Sequence, residues 1–235
     1  MITEALVASE FISAALALVL VYLFFKAYRL RRSAHLLGLP IGFSFLAASY
    51  AFLGAYLLNE NDVAVSESFL WLRLVTQSYG FAFVAFTYYF SSKTEMKAKY
   101  SLSVISLASA ISLTLLFGAL VVAPPFLGLP SVNVVDEYLR IANLFFLGYV
   151  IYNVTRRIEL SHKAISDLIW APLAFSLFWL AQYSMLIWGI DGSQIAFVSA
   201  HLVRLASLTI FIRIYYLSEG IASESTGTYS TTNLL

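Results

Sequence analysis

The stretch SAHLVRLAS, Ser199 to Ser207, puts a histidine and an arginine inside an apolar run from Ile195 to Leu217. That run is long enough to cross a bilayer, so His201 and Arg204 fall at membrane depth. A guanidinium there is costly and needs acceptors from other helices. Whatever this chain folds into must therefore be a helical bundle with a polar interior.

Composition agrees. Hydrophobic residues make up 60% of the 235 and charged residues only 11%, too few to clothe a soluble domain of this length. The mean hydropathy is +0.83. A net charge of +1, with the basic residues clustered between apolar runs, excludes the basic stripe of a nucleic-acid binder. There is no cysteine, which excludes disulfides, thiolate chemistry and cysteine-ligated metals. The three histidines, His35, His162 and His201, are far apart, so no metal site and no cofactor is expected.

Seven apolar segments approach the ~20 residues a membrane helix needs. They are Ala5–Tyr28, Ala34–Leu58, Phe69–Phe90, Tyr100–Val122, Val134–Thr155, Ala164–Ile190 and Ser193–Leu217. The expected fold is an all-α, polytopic seven-helix bundle over residues 1–217. The Ser-, Thr-, Gly- and Glu-rich stretch 218–235 reads as a disordered cytoplasmic tail. Lys26, Arg29, Arg31 and Arg32 follow the first segment, Lys93, Lys97 and Lys99 the third, and Arg156, Arg157 and Lys163 the fifth. The opposite loops hold acidic residues and no lysine. The positive-inside rule then puts the N-terminus outside the cell membrane and the C-terminus in the cytoplasm.

Within the chain, LLGLPIGFSFL from Leu36 matches LIWAPLAFSLF from Leu168. YLFFKAYR from Tyr22 pairs with YVIYNVTR from Tyr149, and LRLVT from Leu72 with VRLAS from Val203, aligning Arg73 with Arg204. Together these suggest two parallel three-helix units joined by the fourth segment, an arrangement known among transporters. Coincidental apolar similarity is the alternative. Pro40 and Pro172 recur in this repeat as candidate hinges, or as static kinks. Gly38 and Gly42, four apart, predict a close helix–helix approach.

Away from the cytoplasmic loops, three arginines remain: Arg73, Arg140 and Arg204. Arg73 lies roughly 6 Å, Arg140 roughly 9 Å and Arg204 roughly 16 Å inside their helix ends at the α-helical rise. Glu10 is the one carboxylate expected inside the outer half of a helix. Arg73, Thr76 and Gln77 share a face of the third segment, Arg140 and Asn143 one of the fifth, and His201 and Arg204 one of the seventh. With Gln182 and Tyr183 on the sixth, and Tyr50 among the polar neighbours, they outline a cationic pocket for a small anionic or polar ligand. Buried arginines acting only as glue between helices, or an ion path, are the competing readings. No catalytic constellation is present, and the seventh segment has no lysine for a retinal Schiff base, so no enzyme and no pigment is expected.

The third segment, FLWLRLVTQSYGFAFVAFTYYF, resembles the corresponding helix of prokaryotic seven-helix sensor domains found ahead of histidine kinases. Trp71, Arg73, the Tyr79-Gly80 pair and the run Tyr88-Tyr89-Phe90 carry the resemblance. It implies ligand sensing with cytoplasmic output. The pattern breaks after Leu217, where no effector domain follows, so output would need a separate cytoplasmic partner. The expected function is a ligand sensor or accessory subunit. A small-solute transporter built from the two repeats, or a structural subunit of a membrane complex, is the alternative.

Overall fold

The computed structural model describes residues 2–31, 37–59, 63–93, 132–159 and 169–229. They form six helices and, among the described residues, no strand. These are α1 (Ile2–Arg31), α2 (Gly38–Leu58), α3 (Val63–Lys93), α4 (Val132–Glu159), α5 (Trp170–Asp191) and α6 (Gln194–Tyr229). The expected fourth span, Tyr100–Val122, lies outside the described residues. So do His35 and His162.

Five helices, all but α4, are long and apolar enough to cross a membrane. Even α2, with 21 residues, reaches roughly 31 Å, about the thickness of the hydrocarbon core. The exception has a physical reason. α4 carries Asp136, Arg140 and Asn143 within its apolar stretch, and Arg140 and Asn143 are buried in the protein rather than facing outward. Its outward face is apolar and aromatic, with Tyr138, Ile141, Phe145, Tyr149 and Tyr152 all exposed.

The helices pack in chain order, each on the next, and α6 returns to α1, so the six close into a ring. Ring and ion contacts set the directions. Phe24 meets Phe43 while Phe11 lies against Gly54, so α1 and α2 are antiparallel. Phe52 meets Phe69 while Phe45 meets Phe83, so α2 and α3 are antiparallel. Phe81 meets Phe178 while Tyr88 meets Phe175, which makes α3 and α5 antiparallel. Trp188 meets Phe197 while Phe175 meets Phe211, which makes α5 and α6 antiparallel. α3 and α4, however, run the same way: Arg73 lies within electrostatic reach of Arg140 and Asp136, and Tyr89 stands by Tyr149 with ring centroids 6.5 Å apart. The end of α3 at Lys93 and the start of α4 at Val132 are therefore at opposite ends of the ring.

α2 and α3 approach each other closely. A Cβ on Gly42 would come within 2.9 Å of the Gly80 carbonyl oxygen, and one on Gly80 equally close to the Gly42 carbonyl. The small-residue face expected from Gly38 and Gly42 is thus matched by Gly80 on the partner helix. Pro40 and Pro172 occupy the same place, the third residue of α2 and of α5. In the first turn a proline has no intrahelical N–H bond to lose, so neither breaks its helix ladder. The Ser44 hydroxyl donates to the Pro40 carbonyl at 2.8 Å, ordinary back-bonding within a helix.

α6 does not stop at Leu217. Its backbone stays helical to Tyr229, into the stretch read from composition as a disordered tail. Extending an existing helix adds one hydrogen bond per residue without a new nucleation step, which offsets the weak propensities of Ser, Thr and Gly.

Candidate functional site

On all six helices the buried residues change character at one level of the ring. Going along α1, Glu10 and Ser13 give way to Ala17, Leu20 and Leu23. On α3, Arg73, Gln77 and Ser78 give way to Phe81 and Val84, and on α4, Arg140 and Asn143 to Leu147 and Val150. On α6, His201 and Arg204 give way to Leu208 and Phe211. The helices of opposite direction change in the opposite order: Phe43 and Leu46 precede Ser49 and Tyr50 on α2, and Phe175 and Phe178 precede Gln182 on α5. The buried charged and amide side chains all lie in one half of the interior, which also holds a small apolar cluster of Met185, Phe197 and Ala200.

The apolar half is closed by aromatic rings. Phe211 sits among Phe43, Phe175 and Phe178, with centroids 5.6, 4.7 and 5.8 Å away. Phe24 and Phe81 extend the cluster onto α1 and α3, while Leu147, Val150 and Val154 complete the same core from α4. Such edge-to-face and tilted pairs contribute beyond their buried area. The Ser207 hydroxyl donates to the Ala174 carbonyl at 2.7 Å and ties α6 to α5 beside this plug.

In the polar half, Glu10 is the hub. Its Oε1 accepts a hydrogen bond from Arg204 Nη2 at 2.5 Å and lies 2.6 Å from His201 Nε2. The His201 contact is close but lacks hydrogen-bond alignment. The other ring nitrogen, Nδ1, is 2.7 Å from the Phe197 carbonyl, so the ring is held from both ends. Arg204 also stacks its guanidinium over the Tyr50 ring, 4.4 Å from the centroid. One carboxylate from α1 thus binds two residues of α6, one turn apart, under an aromatic ring from α2.

Across the interior, Arg140 is 1% exposed. Its Nε is 2.7 Å from Asp136 Oδ1, one turn back on α4, again a charge contact without hydrogen-bond alignment. Its two terminal nitrogens, Nη1 and Nη2, have no hydrogen-bond partner. Arg73 is likewise buried and lies within electrostatic reach of Arg140, Asp136, Glu10 and Arg204. The three arginines therefore share one neighbourhood. Around them, Glu10 Oε2, the Tyr50 hydroxyl, Gln77 Oε1, Asn143 Oδ1, Gln182 Oε1 and Arg204 Nε are buried without a partner. Orphaned polar atoms at this density are rare in protein interiors, because each costs about 1–3 kcal/mol when left unmade.

Of the residues expected at the site, Arg73, Gln77, Arg140, Asn143, Gln182, His201 and Arg204 are brought into this half of the ring. Two are placed differently. Thr76, half-buried, turns its hydroxyl onto its own helix, donating to the Leu72 carbonyl at 2.6 Å, so it has no proton to offer a ligand. Tyr183 is 42% exposed and stacks on Trp179 at 5.5 Å, on the outer face of α5. The spacing of Gln182 and Tyr183 puts them about 100° apart on a helix, so the two do not point the same way. Glu10 joins them as the hub, and Tyr50 lies over Arg204. The signal for Glu10 was its position as a lone carboxylate inside an apolar first segment, opposite a deep arginine. No protein family, curated protein or solved structure matches this chain.

Proposed function

We propose that this chain is a seven-span integral membrane protein, N-terminus outside and C-terminus in the cytoplasm. In this reading it binds a small anionic or polar ligand in the polar half of its ring and signals through a separate cytoplasmic partner. The observation that carries the reading is the division of the interior: orphaned polar groups from six helices on one side, an aromatic plug on the other. Arginines used only as glue would be expected to consume their own donors, and Arg140 leaves two unused. The parallel run of α3 and α4 supports a further crossing between Lys93 and Val132. Output has a route in α6, one continuous helix from the residues that hold Glu10 down to Tyr229.

Transport is the second reading, favoured by the register of burial. Shifting α2 by 132 positions lays Gly42, Phe43, Leu46, Ser49, Tyr50 and Leu53 on Ala174, Phe175, Phe178, Ala181, Gln182 and Met185, and all twelve are buried. α1 to α3 and α4 to α6 also repeat the same sequence of directions. Both features suit two three-helix repeats that rock about the plug.

Single cysteines in this cysteine-free chain test the site. Asn143→Cys and Gln77→Cys should react with a charged thiol reagent from the extracellular side, and Phe81→Cys and Leu147→Cys from neither side. Failure of the first pair to react in folded protein removes the pocket. Flux of a protecting solute into proteoliposomes establishes transport in place of sensing.

A further inference from the structure

The geometry points to a single small hydroxylated monocarboxylate, such as a 2-hydroxy acid, as the class of ligand, with its carboxylate held by the terminal nitrogens of Arg140. The inference rests on the pocket proposed above and specifies its chemistry. Charge comes first. Arg73, Arg140 and Arg204 bring three positive charges to the interior, while Glu10 and Asp136 bring two negative ones. Among the arginines and carboxylates described there, the positive charges exceed the negative by one, and an uncompensated charge is expensive in a low-dielectric interior. A monoanion cancels it. A dianion overshoots, and a neutral solute leaves it in place.

Donor geometry then selects the residue. Arg204 is occupied by Glu10 and capped by Tyr50. Arg140 spends only Nε, on Asp136, and its Nη1 and Nη2 are free. The two terminal nitrogens of a guanidinium form a planar fork that matches the two oxygens of a carboxylate. Asn143, one turn along the same face of α4, has an orphaned Oδ1, and Gln77 and Gln182 have orphaned Oε1 atoms. These are acceptors. A bare carboxylate has no donor for them, whereas a hydroxyl carried beside the carboxylate supplies one without changing the net charge.

The test is thermal unfolding of the full chain in lipid nanodiscs with glycolate, acetate, glycine, succinate and glycerol as probes. Glycolate is expected to raise Tm and to bind at least tenfold tighter than acetate, with succinate and glycerol inert. Arg140→Gln should abolish the glycolate shift, and Arg140→Lys, which keeps the charge and loses the fork, should weaken it at least tenfold. Asn143→Ala removes an unpaired acceptor and so should fold; it should lower glycolate affinity to that of acetate and leave acetate unchanged. Glycine, succinate or glycerol binding as tightly as glycolate, with loss in Arg140→Gln, overturns the ligand class and keeps the pocket. No shift with any probe also overturns the class, and labelling of Asn143→Cys then decides separately whether the pocket stands. A glycolate shift unchanged in Arg140→Gln and Asn143→Ala overturns the assignment of these residues.

Discussion

Glu10→Leu and Arg204→Met, singly and together, separate a mutually dependent pair from two independent contributors. Glu10 is fully buried, and its Oε1 carries both the 2.5 Å bond from Arg204 and the 2.6 Å contact with His201. Removing either charge strands the other in a medium that cannot solvate it. Breaking one side of a buried pair costs about 3–5 kcal/mol, whereas replacing both sides by apolar groups of similar volume is often neutral. The two single variants should therefore each lose about 3–5 kcal/mol and the double variant less than about 3, a coupling of at least ~3 kcal/mol. The assay is equilibrium unfolding in mixed micelles, followed by helical circular dichroism. At about 2–4 °C per kcal/mol for a chain of this size, the single variants should also melt ~6–20 °C early. If the two losses add to within about 0.5 kcal/mol, the pair is not coupled and Glu10 is not the hub described here.

Three further outcomes follow from the packing. Gly80→Ala should cost about 1–3 kcal/mol, because its new Cβ meets the Gly42 carbonyl and Leu46, while Gly148→Ala, with nothing within 4 Å, should gain about 0.5–1 kcal/mol; both are read by the same unfolding titration. Phe211→Ala should cost about 3–5 kcal/mol and open the plug, so that Leu147→Cys in that background becomes reactive to a thiol reagent from the polar side. Thr76→Val and Tyr183→Phe should leave glycolate binding within about twofold of the parent, since the Thr76 proton is spent on its own helix and Tyr183 stacks on Trp179 with 42% of it exposed, whereas a lost hydrogen bond to the ligand would cost about 0.5–1.5 kcal/mol. A large loss of binding in either variant would move the site.

The α-helical class and the apolar spans were legible because a bilayer leaves few ways to satisfy the backbone. Composition also singled out the three arginines, since any guanidinium within such a segment stands against its surroundings. Helical spacing put Gln77 one turn from Arg73, Asn143 one turn from Arg140, and His201 one turn from Arg204, and all six are buried. Spacing did not sort Thr76, because a hydroxyl can be satisfied by its own helix, and a list of positions does not say which acceptor it takes. α4 falls short of the other five in hydropathy because it carries Arg140 and Asn143, which are buried inside the protein.

What the sequence determined by itself is each helix's inventory: which residues are apolar, which carry charge, and at what depth along the helix they sit. Only the tertiary structure decided which helices meet. Nothing local in α1 says that Glu10 will answer Arg204, 194 positions away, or that His201 will share the same oxygen. Nothing local in α4 says that Arg140 will keep two donors unspent. The reason is physical. Helix formation is governed by neighbours three and four residues apart, whereas the partners of a buried charge come from the faces that ring closure turns inward.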